Sequence, residues 1–130
     1  LEQAWAYSYD QEINSGIKMH GDEAAVNCNF WLTPNDANLD NTTGGLIVHT
    51  KPVPLHWAFS RFNSDAGQTE MEDLLRNSDK IHVPYKQNRM VMFKSDLLHA
   101  TDTLNFKRGY KNRRINFTFL FGKRGQGEDA

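Results

Sequence analysis

Residues 114–121 read Arg-Ile-Asn-Phe-Thr-Phe-Leu-Phe, and this stretch limits the possible folds most. Side chains along a strand alternate between two faces. Arg114, Asn116 and Thr118 therefore share one side, and Ile115, Phe117 and Phe119 share the other with Arg113. The second set is a packing face of β-branched and aromatic residues. The first is polar and includes a cation, as the wall of a pocket would be.

The rest of the chain follows the same pattern of short strands broken by turn residues. Residues 4–9 alternate Trp5, Tyr7 and Tyr9 against Ala4, Ala6 and Ser8. A turn at Asn14-Ser15-Gly16 leads into a second strand at 17–20. The third, at 25–32, sets Asn27, Asn29 and Trp31 opposite a packing face of Val26, Cys28, Phe30 and Leu32. Two amides on one face need partners or water, so that face is either a polar pocket wall or an exposed sheet face. Residues 33–45 are a loop, ending at Gly44-Gly45 before a fourth strand at 46–49. Lys51-Pro52-Val53-Pro54 is excluded from a central strand, because proline removes a ladder donor.

Residues 55–80 form an insertion with the only helix signal. Thr69 at N-cap and Glu72 at N3 make a capping box, and Met71, Leu74 and Leu75 form the buried stripe of a helix running to about Asn77. The length of this insertion and its aromatics Trp57, Phe59 and Phe62 predict a partly mobile lid or rim over 57–77. Strands at 81–85 and 89–93 follow, joined by Lys86-Gln87-Asn88, then strands at 97–101 and 114–121. In the strand at 89–93, Val91 and Phe93 share one face, Met90 and Met92 the other. Eight short strands and one short helix predict an all-β sandwich or barrel-like jelly roll. One domain spans 1–122, and 123–130 read as a flexible tail.

At 130 residues the chain suits one domain with one core. A net charge of -1 and a pI near 6.6 give no nucleic-acid footprint and no attraction to an anionic membrane. No apolar run is long enough to span a membrane, and residues 1–10 lack the basic start of a signal peptide. Cys28 is the only cysteine, which excludes an internal disulfide and favours a reducing compartment such as the cytoplasm. The chain opens in strand-like sequence without an initiator Met, so we expect it to be a piece of a longer protein. The sequons Asn41-Thr42-Thr43 and Asn116-Phe117-Thr118 are accidental, the second lying mid-strand.

His20-Gly21-Asp22 ends the second strand, and positions i and i+2 aim to one side. One imidazole and one carboxylate are two-thirds of the facial triad that holds non-heme Fe(II). His99 on a later strand supplies the remaining imidazole, and Arg114 a carboxylate clamp. His49, His56 and His82 lie beside prolines or on ordinary strands and read as surface or satisfied histidines.

The pattern His20-Gly21-Asp22, then His99, then Arg114-Ile115-Asn116 resembles the Fe(II)- and 2-oxoglutarate-dependent oxygenases, over nearly the whole chain. The resemblance implies a double-stranded β-helix, with His20, Asp22 and His99 as iron ligands. It implies that Arg114 takes the C5 carboxylate of 2-oxoglutarate, with Asn116 beside it and Tyr9, or less readily Tyr7, assisting from the first strand. The implied activity is hydroxylation of a small molecule or a protein side chain, coupled to oxidative decarboxylation of 2-oxoglutarate. The family's helices before the first strand are missing, and the insertion at 55–80 is not a general family feature. A sheet edge left bare makes a homo-oligomer an expectation. Two other classes stay open: a cupin-type metalloprotein, although the chain lacks the usual His-x-His pair, and a jelly-roll binding module without catalysis.

Overall fold

The alternating stretch at 114–121 becomes β7 (Arg114–Phe121), an inner strand paired on both sides. The computed structural model describes residues 1–10, 12–13 and 16–125. It sets β7 between β1 (Gln3–Tyr9) and β2 (Val26–Trp31), and adds β5 (Met90–Lys94) beyond β2. The resulting four-stranded antiparallel sheet has the order β1-β7-β2-β5. A second antiparallel sheet, in the order β4-β3-β6, comes from β4 (Lys80–Val83), β3 (Leu46–Pro52) and β6 (Leu97–Thr101). The protein is thus mostly β, as its turn density requires.

Register sets what each sheet presents. Asn116 lies between Tyr7 and Trp31, and Thr118 between Trp5 and Asn29. Asn27 and Trp31 are fully buried and Asn29 nearly so, which decides the amide question for the pocket wall. The apolar set of Val26, Cys28, Phe30 and Leu32 occupies the outer face instead. There Leu32 is exposed, beside exposed Met90 and Met92, so this face is packed less than its composition implies. Between the sheets, Trp31 packs with Leu46, Val48, Tyr85 and Phe106, and Val91 and Phe93 press on this cluster. Burying such side chains contributes roughly 1.5–3 kcal/mol each.

A second cluster of Val53, Phe62 and Leu98 covers the far side of the smaller sheet. Leu98 and His99 are neighbours in β6, so they face opposite ways. Leu98 meets the insertion, and His99 meets the space between the sheets. The insertion folds as α1 (Phe59–Phe62), a 3-10 turn at Asp65–Gly67 and α2 (Gln68–Arg76). Met71, Leu74 and Leu75 of α2 pack half-buried against this cluster, as their spacing predicts. The expected capping box does not form. The 3-10 turn runs straight into α2, which leaves Gly67 at N-cap and Thr69 already inside the helix. Gly67 is required there, because a Cβ would sit 1.6 Å from the Arg61 carbonyl oxygen. None of the residues lining the cavity described below belongs to the insertion.

Four further expectations are corrected. Seven strands, not eight, form among the described residues, because 17–20 make only one bridge, His20 to His99. The Lys18 carbonyl accepts a bond from the His20 Nδ1–H (2.7 Å), and the Thr101 N–H goes to Ile17 instead (3.0 Å). That one-residue slip ends the ladder. Second, β3 continues through Lys51 and Pro52. Pro52 pairs with Leu97 beyond a register shift, past the residues at which β4 is in register, so its missing donor costs little there. Third, 86–88 do not close a hairpin; with Asn88 at φ 62°, they pass the chain from one sheet to the other. Fourth, Arg124, assigned to a flexible tail, is anchored: its guanidinium donates to the Trp57, Pro54 and Val53 carbonyls and stacks on Phe62. Residues 126–130 of that tail, and Asn14 and Ser15 of the first turn, lie outside the described residues. No helix among the described residues is long and apolar enough to cross a membrane.

Candidate metal centre and adjoining pocket

The bridge that replaces the second strand brings the chemistry together. His20 N–H donates to the His99 carbonyl (3.0 Å) and His99 N–H to the His20 carbonyl (2.9 Å). The two imidazole centroids end 4.3 Å apart, tilted by 53°. Asp22 reaches between them, with Oδ1 3.7 Å from His20 Nε2 and Oδ2 3.3 Å from His99 Nε2. One ligand atom from each residue lies within 4.8 Å of the others, so the group could hold a metal ion.

The tautomers agree with that use. His20 Nδ1 faces the Lys18 carbonyl at 2.7 Å and His99 Nδ1 faces the Leu97 carbonyl at 2.9 Å. A carbonyl only accepts, so each Nδ1 carries a proton, and in the neutral ring each Nε2 presents a lone pair to the shared centre. Such outer bonds orient a ligating imidazole and raise its basicity. Asp22 is oriented likewise. The Asn27 amide donates to its Oδ2, Asn29 donates to Asn27 Oδ1 (2.7 Å), and Asn116 and Thr118 donate to Asn29 Oδ1 (3.0 and 2.9 Å). The two amides of β2 are thus the links between Asp22 and β7. Sequence reasoning marked them as a polar face but gave Asn27 no role. Asn29 and Thr118 share its signal, alternation onto the side of Arg114.

The same cavity, about 170 Å³, extends from the triad to Arg114 and is also lined by Tyr7, Tyr9 and Asn116. Arg114 is 1% exposed, yet its partners are carbonyls: Nε donates to Gly44 (2.6 Å) and Nη2 to Gly45 (3.1 Å). Gly45 permits this approach, since a Cβ there would lie 1.8 Å from the Val83 carbonyl oxygen. Tyr9, Trp31 and Tyr85 surround the guanidinium at 5.2, 5.3 and 5.8 Å. Burial pushes Arg114 down to about 10, with Tyr9 and Tyr85 pulling the other way. The carboxylates of Asp96 and Asp102, nearby in sequence, do not neutralise it: Asp96 faces Lys94 and Asp102 faces His82. Arg113 points outward, bonded to Asp10 at 2.8 Å, as the alternation predicts. Tyr9 is buried opposite Arg114, while Tyr7 stacks on it nearer the rim. His49 lies on the face of β3 away from the cavity, and His56 and His82 do not join the cluster.

Compared with known proteins, the chain matches no family model and no curated protein.

Burial first, then the charge of His99, holds the His20 imidazole below its ordinary 6.5, against the pull of Asp22. Burial, then Lys80, does the same to His49. A depressed folded value means that the unfolded chain takes up protons first as pH falls. Without added metal, stability should therefore be complete above pH 6.5 and decline as pH drops through the folded values. Urea midpoints at pH 7.5 and 5.5 check this. The pH 5.5 midpoint should be lower, and a His20→Gln, His49→Gln double variant should narrow the gap.

Proposed function

We propose that this chain is an Fe(II)- and 2-oxoglutarate-dependent oxygenase built on a double-stranded β-helix. The observation that carries the reading is one cavity with two chemically distinct ends. At one end, two Nε2 lone pairs and a carboxylate converge. At the other stands a buried arginine without a carboxylate partner among the described residues. Two neutral imidazoles and one carboxylate suit Fe(II) and leave coordination positions open. A buried guanidinium without an anion is costly. A ligand carboxylate would relieve that cost, and the planar fork of arginine is suited to receive it.

In this reading His20, Asp22 and His99 hold the ion, and Asn27 fixes which Asp22 oxygen faces it. Arg114 receives the distal carboxylate of 2-oxoglutarate, and Tyr9 and Trp31 sheathe the guanidinium against water. Tyr7 and Trp5 line the rim, where a substrate would meet aromatic rather than charged surface. With O₂, the bound pair would supply oxidative decarboxylation of 2-oxoglutarate to succinate and CO₂, coupled to hydroxylation of a C–H bond. Excluding water from such a site protects a reactive species from side reactions.

The test is anaerobic reconstitution with Fe(II), then O₂-dependent release of succinate from 2-oxoglutarate. Turnover by the parent and none by His99→Ala supports the reading. Metal binding without 2-oxoglutarate binding would favour a cupin-type metalloprotein. Failure to bind any divalent metal would leave a binding module.

A further inference from the structure

The turn between His20 and Asp22 is held by the insertion. Gly21 N–H donates to Asn63 Oδ1 at 3.1 Å, and Asn63 Nδ2 donates to the Gly21 carbonyl at 3.0 Å. One side-chain amide thus closes both polar groups of the residue between the two ligands, in the way a neighbouring strand would. The flanking donors are also committed, His20 N–H to His99 and Asp22 N–H to the Ser95 carbonyl at 3.0 Å. Among the described residues, Gly21 is the only position of His20-Gly21-Asp22 hydrogen-bonded to the insertion. Its surroundings are tight, since a Cβ there would lie 3.0 Å from the Phe62 ring. Phe62 is 1% exposed and locked in the cluster with Val53 and Leu98, so Asn63 follows from a fixed point.

We propose that Asn63 is a positioning residue for the metal centre, an addition that rests on the metal reading above. Ladder pairing cannot hold the motif, because the pairing with β6 stops at His20 and slips before it. The amide of Asn63 supplies the missing constraint on the backbone that aims both His20 and Asp22. Residues 55–80 are then part of the site's rigid frame, and the ion's coordination depends on a side chain more than forty residues from either ligand of the motif. Losing an outer partner of a ligand costs about 10–100-fold in metal affinity. Asn63 acts on two ligands at once, so its removal should fall in that range.

The experiment titrates Co(II) into the full chain without oxygen, reading affinity and the visible d–d spectrum. Asn63→Ala should bind 10–100-fold more weakly, with a spectrum altered from the parent's. Met71→Ala, which loosens the same insertion without touching Gly21, should keep parent affinity and spectrum at a temperature where both variants are folded. Equal affinities and identical spectra for Asn63→Ala and the parent would overturn the proposal, as would an equal loss in Met71→Ala. Hydrogen exchange in the unsubstituted protein tests the clamp without any variant. The Gly21 amide should exchange as slowly as that of His20, and exchange at the rate of an open turn overturns it. A parent that binds no Co(II) would instead remove the metal reading itself.

Discussion

His99→Ala should lose more metal affinity than any outer substitution, beyond the roughly 10–100-fold range of such partners. His99 is the best prepared of the three ligands. It is 4% exposed, its Nδ1–H is bound at 2.9 Å, and its backbone is bridged to His20 in both directions. Removing the ring takes one of three donors and also unseats the neighbouring imidazole that it packs against at 4.3 Å. Two readouts should agree. Mn(II) titration should give a parent constant that the variant fails to reach. Thermal melts should show the parent stabilised by about 2.7 kcal/mol at metal concentrations near 100 times its dissociation constant, following mass action. The variant should show almost none of that gain. His49→Ala is the control, since His49 is also buried but faces away from the cavity. If His99→Ala binds Mn(II) like the parent, the three residues do not form a metal site.

What the sequence disclosed and what it hid divide along a physical line. Alternation in 114–121 gave the inward set Arg114, Asn116 and Thr118 directly, because a period of two needs no knowledge of partners. The i and i+2 placement of His20 and Asp22 was legible for the same reason, although no strand forms there. The side chain of His20 competes for the Lys18 carbonyl, a choice that depends on three-dimensional pairing. The capping box at Thr69 and Glu72 failed because a local motif lost to the close packing of Gly67 on Arg61. Asn63 carried no signal at all. An asparagine in a polar stretch is ordinary, and its role arises only where the insertion is folded back beside Gly21. The anchoring of Arg124 was hidden likewise, since its carbonyl partners lie about seventy residues away.

Arg114→Ala should weaken 2-oxoglutarate binding to the Mn(II) form by roughly one to two orders of magnitude. The figure follows from a charged hydrogen-bonded pair being worth about 1.5–3 kcal/mol, at about 1.4 kcal/mol per decade. The geometry poses a rival account. Arg114 already bonds the Gly44 and Gly45 carbonyls, and on that account its whole role is to anchor the loop before β3. Two neutral carbonyls do not neutralise a guanidinium, however, and burial has pushed it down to about 10. An anchor that needed only donors would not require a permanent charge at 1% exposure. The two accounts differ in what a variant changes. As a loop anchor, Arg114→Ala lowers the melting temperature and leaves 2-oxoglutarate affinity intact in the folded protein. As a clamp, it raises the dissociation constant 10–100-fold while Mn(II) affinity stays near that of the parent. Arg114→Lys should recover little, because a lysine keeps the charge but loses the planar fork. Arg113→Ala should do much less, since Arg113 is spent on Asp10 at the outer face. Anaerobic calorimetric titration of 2-oxoglutarate into each Mn(II)-loaded variant, with melts as the folding control, separates these results. Affinity that survives in Arg114→Ala would reduce the arginine to scaffolding and leave the oxygenase reading resting on the metal alone.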